Sequence, residues 1–185
     1  SAALRDRVGH HYYGEQWAKN IHQFLLAKNW FSKNIHIISA NPHSVMNCLY
    51  AQAAIGKDYP KLGIVSLAEE IIKDKTGSLQ SKIKSLATKN GMYELDDTSG
   101  TNISVQIFDL SQVVQPNKEI HLNHSIMENT LLIVMDYAFG EQAYETMDEL
   151  IKPVQTKEGD LALKVSSISI MGKAGILEGV KGDIM

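Results

Sequence analysis

The sequence predicts a three-layer α/β domain, in which a mostly parallel or mixed β-sheet carries helices on both faces. Apolar segments of strand length alternate with segments whose apolar residues recur every three or four positions. Residues 130–137 form a continuous apolar run, which is typical of a strand covered on both faces. At 185 residues and 44% hydrophobic content, the chain is long enough for one such domain.

The predicted elements follow from apolar spacing and from residues that begin or end helices. In chain order, they are a helix over 13–30, a strand over Asn34–Ser39, a helix over 45–54, a strand over 62–67, a short helix through Lys73, a helix over 76–89, a strand over 103–110, a buried strand over 130–137, a helix over 141–151 and a second buried strand over 164–171. Polar stretches at 96–102, 115–125 and 155–160 are predicted loops.

Capping residues support the first three helices. The first contains apolar residues at helical spacing, with Trp17 and Trp30 as core candidates. Asn41 is a good N-cap for the second helix, and Pro42 suits its first position. Ser66 is predicted to cap the short third helix, which places two glutamates in its first turn.

The later helices also have recognisable ends. Thr76 or Ser78 is predicted to cap the fourth helix, and the Asn90-Gly91 pair ends it. Pro153 lies just past the helix over 141–151. The acidic residues of that last helix are predicted to form its solvated face, with Tyr144 and Ile151 on the apolar face.

Composition excludes several classes of protein. A formal net charge of −3 argues against nucleic-acid binding, and the lysines of residues 73–89 are interpreted as a solvated helix face. Cys48 is the one cysteine, so no internal disulfide can form, and it is predicted to be a buried small hydrophobe. No apolar run approaches the ~18 residues that a membrane helix needs. A cytoplasmic protein is expected.

The two ends of the chain suggest a longer parent protein. The sequence begins Ser1-Ala2-Ala3, and its last residues, from Gly182 to Met185, resemble the opening of a strand. We therefore expect residues 1–185 to form a single α/β domain that is an incomplete N-terminal part of a longer protein. A short C-terminal edge strand is the alternative.

A glycine-rich loop follows the last predicted strand. Gly172 and Gly175 flank Lys173 and Ala174, so main-chain N–H groups could approach a ligand closely, with a cation in the same crevice. The carboxyl ends of strands are where open α/β sheets bind ligands. The alternative is a tight β-turn with a solvated lysine.

A second candidate site follows the first strand. Ser39, Asn41, His43 and Ser44 span the start of the second helix, where free N–H groups and the helix dipole favour an anion. Plain helix capping is the alternative. No arginine accompanies these residues, because the chain has only Arg5 and Arg7.

A third candidate site lies at the end of the strand over 130–137. Asp136 is predicted either to point into a cleft or to cap the next turn, and Gly140 opens the following helix. No catalytic residue is assigned there. The histidines do not predict a metal site, because His121 and His124 lack further ligands. No G-x-G-x-x-G or Walker loop is present, and no cofactor is expected.

The order of motifs from residue 130 onward resembles the purine nucleoside phosphorylase and nucleosidase superfamily. A helix opened by Gly140-x-x-Ala143 lies between two apolar strands, and Gly172-x-x-Gly175 precedes Gly182-Asp183. The resemblance covers about the last third of the chain. It implies a phosphorylase-like fold, of which this chain would be a fragment, and a homo-oligomer.

The resemblance also implies roles for the glycine-rich loop. Gly172 makes the turn, Ala174 and Gly175 line the base and sugar, and Lys173 stands where many members place a hydroxyl residue that touches phosphate. The lysine is a departure that could strengthen anion binding or block the usual phosphate position. Because the ribose and acid motifs would lie beyond Met185, the chain itself is expected to be inactive.

Three hypotheses follow from these patterns. The first is cleavage of the N-glycosidic bond of a purine nucleoside or nucleotide, with phosphate or water as the attacking group. The second is a nucleoside- or nucleotide-binding domain without catalysis on the same scaffold. The third is an α/β subunit that serves only assembly.

Overall fold

The computed structural model describes residues 2–59, 62–113, 123–157 and 159–171, and it confirms the three-layer α/β class. Helices cover both faces of a five-stranded mixed sheet. The helices of the described residues are α1 Ala2–Ala27, α2 Pro42–Ile55, α3 Ile64–Lys73, α4 Ser78–Lys89, α5 His124–Met127 and α6 Gly140–Ile151. The strands are β1 Asn34–Ser39, β2 Met92–Leu95, β3 Val105–Asp109, β4 Thr130–Met135, β5 Val154–Thr156, β6 Gly159–Leu161 and β7 Lys164–Ile170.

The main sheet has the strand order β2-β3-β4-β1-β7. Strand β1 lies between β4 and β7 and is parallel to both, with Asn34 opposite Thr130 and opposite Lys164. Strand β3 runs antiparallel to β4 and to β2. The start of β3 therefore lies beside the carboxyl ends of β2 and β4.

Hydrophobic clusters lie on opposite faces of the sheet. Helices α1 and α6 pack on the face that carries Ile37 of β1 and Ile133 of β4. Helices α2, α3 and α4 pack on the other face, against Phe108 of β3 and Val134 of β4. Because side chains alternate along a strand, the central strands contribute to both clusters.

The helix prediction for the first third of the chain is confirmed apart from its boundaries. Helix α1 is longer at its start than the predicted 13–30, and it ends before Trp30, although Trp17 and Trp30 are both buried. Asn41 caps α2 as predicted, because its side-chain oxygen accepts a hydrogen bond from the N–H of His43 at 2.9 Å. No helix of the described residues is both long and apolar enough to cross a membrane.

The predicted strand over 62–67 is wrong, because α3 begins within it at Ile64. Ser66 consequently lies inside the helix and does not cap it, and Gly63 occupies the N-cap position. The residues Leu67 and Ile71 both contact the cluster beneath α2. A spacing of four residues brings two side chains to one face of a helix, so packing of both against α2 favours the helix.

The start of α4 also differs from its prediction. Gly77 holds the N-cap position at φ +70°, so neither Thr76 nor Ser78 is the cap. Asp74 accepts the N–H of Leu79 at 2.8 Å, which satisfies a free donor in the first turn of the helix. The hydrogen bonds that Asp74 accepts, first that from the Leu79 N–H, lower its pKa to about 2.

The polar segment 155–160 is not a loop, since β5 and β6 pair there as a short hairpin. The prediction that the strand over 164–171 is buried is also wrong. Among the described strands β7 is the last of the main sheet, and Ile170 keeps 81% of its surface exposed. Only one side of β7 has a neighbouring strand among the described residues, which leaves the strand largely solvated.

Several side chains outside the sheet depart from their predicted environments. Glu149, predicted to be on a solvated face, is buried, and its carboxylate binds Lys152 at 2.6 Å. Tyr144 and Ile151, predicted to be on the apolar face of α6, are exposed. Cys48 is exposed on α2 instead of buried. Helical spacing defines a face, but it does not say how far the neighbouring layer extends over it.

Candidate functional site

A polar cleft of about 480 Å³ lies at the end of the sheet where β2 and β4 finish at their carboxyl ends and β3 begins. It is on the face covered by α2 and α4, because Asn41 precedes α2 and Lys84 belongs to α4. Alpha/beta proteins commonly bind small molecules at the carboxyl ends of their strands, in crevices between elements from different parts of the chain.

Carboxylates dominate the charge of this cleft. Glu94, Asp96, Asp97 and Asp136 line it, whereas Lys84 is the only lysine or arginine among its described lining residues. Four carboxylates that line one cleft give it a negative potential, which attracts cations and hydrogen-bond donors and repels anions. Within the described ranges, no three His, Cys, Asp or Glu side chains are grouped as a metal site.

Asp97 is held in place by the loop that it begins. Its carboxylate accepts the N–H and hydroxyl of Ser99 and, at 2.7 Å, the N–H of Asn102. Burial opposes the ionisation of Asp97, but these hydrogen bonds outweigh it and keep the pKa of the group below its usual value. Asp97 is therefore an ionised structural anchor, and its charge adds to the potential of the cleft.

Asp136 occupies a freer position. It follows β4 directly, and its N–H bonds to the carbonyl of Ser104 at 2.9 Å. One carboxylate oxygen accepts the N–H of Tyr137 at 2.8 Å. The residue thus both lines the cleft and caps the turn, and the two alternatives that the sequence left open are both realised.

Three side chains form a chain of hydrogen bonds at one wall of the cleft. Lys84 donates to one oxygen of Glu94 at 2.6 Å, and Gln106 donates its amide N–H to the other oxygen at 3.0 Å. Burial opposes the ionisation of Glu94, but the bonds from Lys84 and Gln106 outweigh it and lower the pKa of this carboxyl. The amide oxygen of Gln106 has no hydrogen-bond partner in the described part of the chain, although only 3% of the residue is exposed.

The start of α2 contributes Asn41 and His43 to the cleft. The Asn41 side chain is occupied as the helix cap, and His43 lies beside Gln80 of α4, with a ring nitrogen 3.2 Å from the Gln80 amide nitrogen. Asn41, His43 and Ser44 together line an apolar groove between α2 and α3, and Ser39 is buried in the sheet. Three of the four residues predicted as one anion site therefore share that groove, which is mainly apolar, and Ser39 does not line it.

Comparison with protein families adds one match. Residues 66–185 match the model of DUF6909, a family of unknown function. The chain belongs to this family. No curated protein and no solved structure matches it.

The DUF6909 match includes most of the residues that give the cleft its character. Lys84, Glu94, Gln106 and Asp136 all lie within the matched range, whereas Asn41 and His43 precede it. The cleft is thus built mainly from the DUF6909 segment, and the start of α2 completes it.

Two other predicted site regions do not join the cleft. Gly172, Lys173, Ala174 and Gly175 lie outside the described residues, although they are within the DUF6909 match. Gly140 is the first residue of α6, at φ +57°, and it does not line the cleft. Of the predicted site residues that the structure describes, Asp136, Asn41 and His43 come together there.

Sequence reasoning missed Lys84, Glu94 and Gln106. Strand β2, which carries Glu94, was not predicted, and Lys84 was interpreted as part of a solvated face. One signal was present in the sequence: Gln106 is a polar residue between the apolar Val105 and Ile107 in a predicted strand. A polar side chain at a buried position needs a hydrogen-bond partner, so Gln106 indicated a polar contact within the sheet.

Proposed function

We propose that the chain binds a purine nucleoside in the acidic cleft. The observation that carries this proposal is the set of carboxylate hydrogen-bond acceptors that line the cleft, from Glu94, Asp96, Asp97 and Asp136. A nucleoside supplies matching donors, namely the hydroxyls of its sugar and the N–H groups of its base. The volume of about 480 Å³ is within the range of small-molecule sites.

The charges favour a nucleoside over a nucleotide. A phosphate in the cleft would lie close to four carboxylates, and the lysine that lines it is already paired with Glu94. The repulsion from four carboxylates outweighs the attraction of one lysine that is already paired. The negative potential also argues against phosphate as a co-substrate, so phosphorolysis has less support than binding or hydrolysis.

Hydrolysis of the N-glycosidic bond is the second candidate function. The resemblance of residues 130–185 to nucleosidases supports it, together with the carboxylate of Asp136 in the cleft. In that reaction Asp136 would accept a proton as the oxygen of water bonds to the sugar carbon. The bond to the base breaks with its electron pair on the base, which takes up a proton.

Calorimetric titration with adenosine and AMP tests the proposal. We expect adenosine to bind, and AMP to bind at least tenfold more weakly because of the carboxylates. Asp136→Asn should weaken adenosine binding by roughly tenfold, since a hydrogen bond to a charged group is lost. Asp148→Asn is the matched control, because Asp148 lies on α6 outside the cleft and should leave binding unchanged.

Chromatographic detection of free base, with and without phosphate, separates the functions. Base release without phosphate would support hydrolysis, and release only with phosphate would contradict the charge argument. Binding without release identifies a non-catalytic nucleoside-binding domain. If neither adenosine nor AMP binds and no base appears, the proposal is wrong.

A further inference from the structure

A second groove, of about 630 Å³, lies between α2 and α4 on the face of the sheet opposite to α6. Its half-buried lining residues are Ala53, Ala54 and Leu86, whereas its serines and its two lysines, Lys82 and Lys89, are exposed. The groove is thus apolar where it is deepest and positively charged where it meets solvent. Such a groove suits a helix that is partly apolar and carries acidic side chains.

Helix α6 has an outward face of this complementary kind. Tyr144 and Ile151 keep 72% and 43% of their surface exposed, although both are large and apolar. Glu141 and Asp148 lie on the same face, because residues three, four and seven apart line up along a helix. Aromatic side chains are enriched in protein interfaces relative to the rest of the surface. This face of α6 therefore has the composition of a docking surface.

The charges on the two helices have the same spacing. Lys82 and Lys89 are seven residues apart on α4, and Glu141 and Asp148 are seven residues apart on α6. Each pair therefore spans about 10.5 Å along its helix. In either relative direction of the helices, both acids can lie opposite both lysines, and Tyr144 then lies between the two charge pairs, above the apolar part of the groove.

The ion pairs that these side chains make within the chain do not prevent such a contact. Lys82 lies 3.6 Å from Asp58, and Asp148 lies 3.0 Å from Lys152, but all four side chains are at least 42% exposed. Exposed ion pairs contribute little to stability, so exchanging them for partners on another molecule costs little.

We propose that α6 of one copy of this chain docks in the α2–α4 groove of another copy. Because the groove and α6 lie on opposite faces of the sheet, each copy would use them for two different neighbours. Contacts of this head-to-tail kind build a ring when the rotation closes and an open array when it does not. The proposal does not depend on nucleoside binding, since no residue that lines this groove also lines the acidic cleft.

Sedimentation velocity of the chain over a range of protein concentrations tests the contact. We expect the sedimentation coefficient to rise with concentration at low salt. It should return toward the value of the monomer near 1 M salt, where charges are screened beyond about 3 Å. A chain that stays monomeric at every concentration would overturn the proposal.

Charge reversal on either helix tests the residues. The double variants Lys82→Glu/Lys89→Glu and Glu141→Lys/Asp148→Lys each set like charges against each other. Each should raise the dissociation constant of self-association by at least about tenfold. Association as strong as that of the wild type in either variant contradicts the proposed contact. Circular dichroism establishes that both variants are folded.

Lys157→Glu/Lys164→Glu is the matched control for net charge. It changes the charge as much as the variant of α4, at two exposed lysines that lie outside the groove and outside α6, and it should associate like the wild type. If it loses association to the same extent as the variant of α4, net charge and not the groove governs the assembly, and the proposal fails.

A mixture of the two charge-reversed variants gives the sharpest outcome. The acidic groove of one variant then meets the basic α6 of the other, and the basic groove of the second meets the acidic α6 of the first. We expect association to return in the mixture although neither variant associates alone. A mixture that remains monomeric would show that α4 and α6 do not meet between copies.

Discussion

At the residue scale, Asp109 illustrates how a buried charge is satisfied in this protein. It ends β3 with only 3% of its surface exposed, and its carboxylate accepts from Lys33 at 2.9 Å, from Ser111 and from Gln112. Burial opposes the ionisation of Asp109, but these bonds outweigh it and hold the pKa of the group below its usual value. A group with so many charge-assisted bonds stabilises the folded state only while it is ionised.

Asp109→Asn should therefore lower the free energy of unfolding by about 2 kcal/mol at neutral pH, because the bond to Lys33 loses its charge. The carboxylate contribution is fully present above the pKa of the unfolded state and is lost as pH falls through the lower pKa of the folded state. The gap between wild type and variant should thus narrow in urea titrations below about pH 4.

Asp148→Asn is the control for this charge effect. Asp148 pairs with Lys152 at 3.0 Å, but both side chains are more than two-fifths exposed, so the loss should stay below about 1 kcal/mol. Equal losses in the two variants would show that burial of Asp109 contributes nothing. The sequence could not reveal this pairing, since Lys33 and Asp109 are distant along the chain and meet only through the sheet.

At the element scale, Gly91 determines how α4 passes into β2. Its φ of +93° disfavours other residues, and a Cβ there would lie 2.7 Å from the carbonyl oxygen of Asp109. The same close approach allows the Gly91 carbonyl to accept the N–H of Asp109 at 2.8 Å. The prediction that Asn90-Gly91 ends the helix is thus confirmed. Glycine is required there because Gly91 lies against the backbone of Asp109, at the end of β3.

Gly91→Ala should lower stability by about 2–3 kcal/mol, as the sum of backbone strain and a clash with backbone. Gly77→Ala, at the other end of α4, introduces the backbone strain without the clash. Gly77 has φ +70°, and no atom of the described residues lies within 4 Å of the place its Cβ would take, so the cost should be about 1 kcal/mol. Chemical unfolding of both variants measures the difference, and equal losses would contradict a role for the contact with Asp109.

Also at this scale, the elements differ in how well local pattern predicts them. Strand β1 matches its predicted bounds, because an isoleucine-rich segment with a capped helix after it has one reasonable interpretation. Helix α3 was misassigned at its start, since a short apolar run fits a strand or a buried helix equally well. The edge position of β7 among the described strands depends on strands distant in sequence, and its serines at 166, 167 and 169 are the sequence signal for an exposed strand.

At the scale of the whole molecule, the sheet couples the two hydrophobic clusters. Ile133 of β4 belongs to the cluster under α1 and α6, and Val134, the next residue, belongs to the cluster under α2. Neither cluster can lose its strands without the other losing them too. The described layers should therefore unfold as one cooperative unit.

Ile133→Ala and Leu67→Ala test this coupling from opposite faces, since both side chains are fully buried. Each should lower stability by roughly 2–5 kcal/mol, the usual range for such truncations in a core. Near-ultraviolet and far-ultraviolet circular dichroism should still show coincident transitions in urea. Separate transitions in either variant would show that the two faces unfold independently.

The fold class could be predicted from the sequence, but the cleft could not. Alternating periodicities reveal layers, because each helix or strand carries its own pattern. Which strands are neighbours is a property of long-range pairing, and the cleft exists because β2 places Glu94 beside Gln106 of β3. Asp136 was recognisable since it directly follows a strand, whereas Lys84 needed the position of α4 above the sheet.

The position of β1 between β4 and β7 has a consequence for how the chain folds. Both hydrogen-bonded neighbours of β1 come from the second half of the sequence, after α2, α3 and α4. During synthesis β1 emerges long before β4 or β7, so its backbone N–H and C=O groups have no strand partner at that stage. Parallel pairing over such separations is slow, because the chain loses the entropy of a long loop before the contacts between the strands can form. The order of the strands thus sets a late step, the arrival of β7, that completes the backbone pairing of the earliest strand.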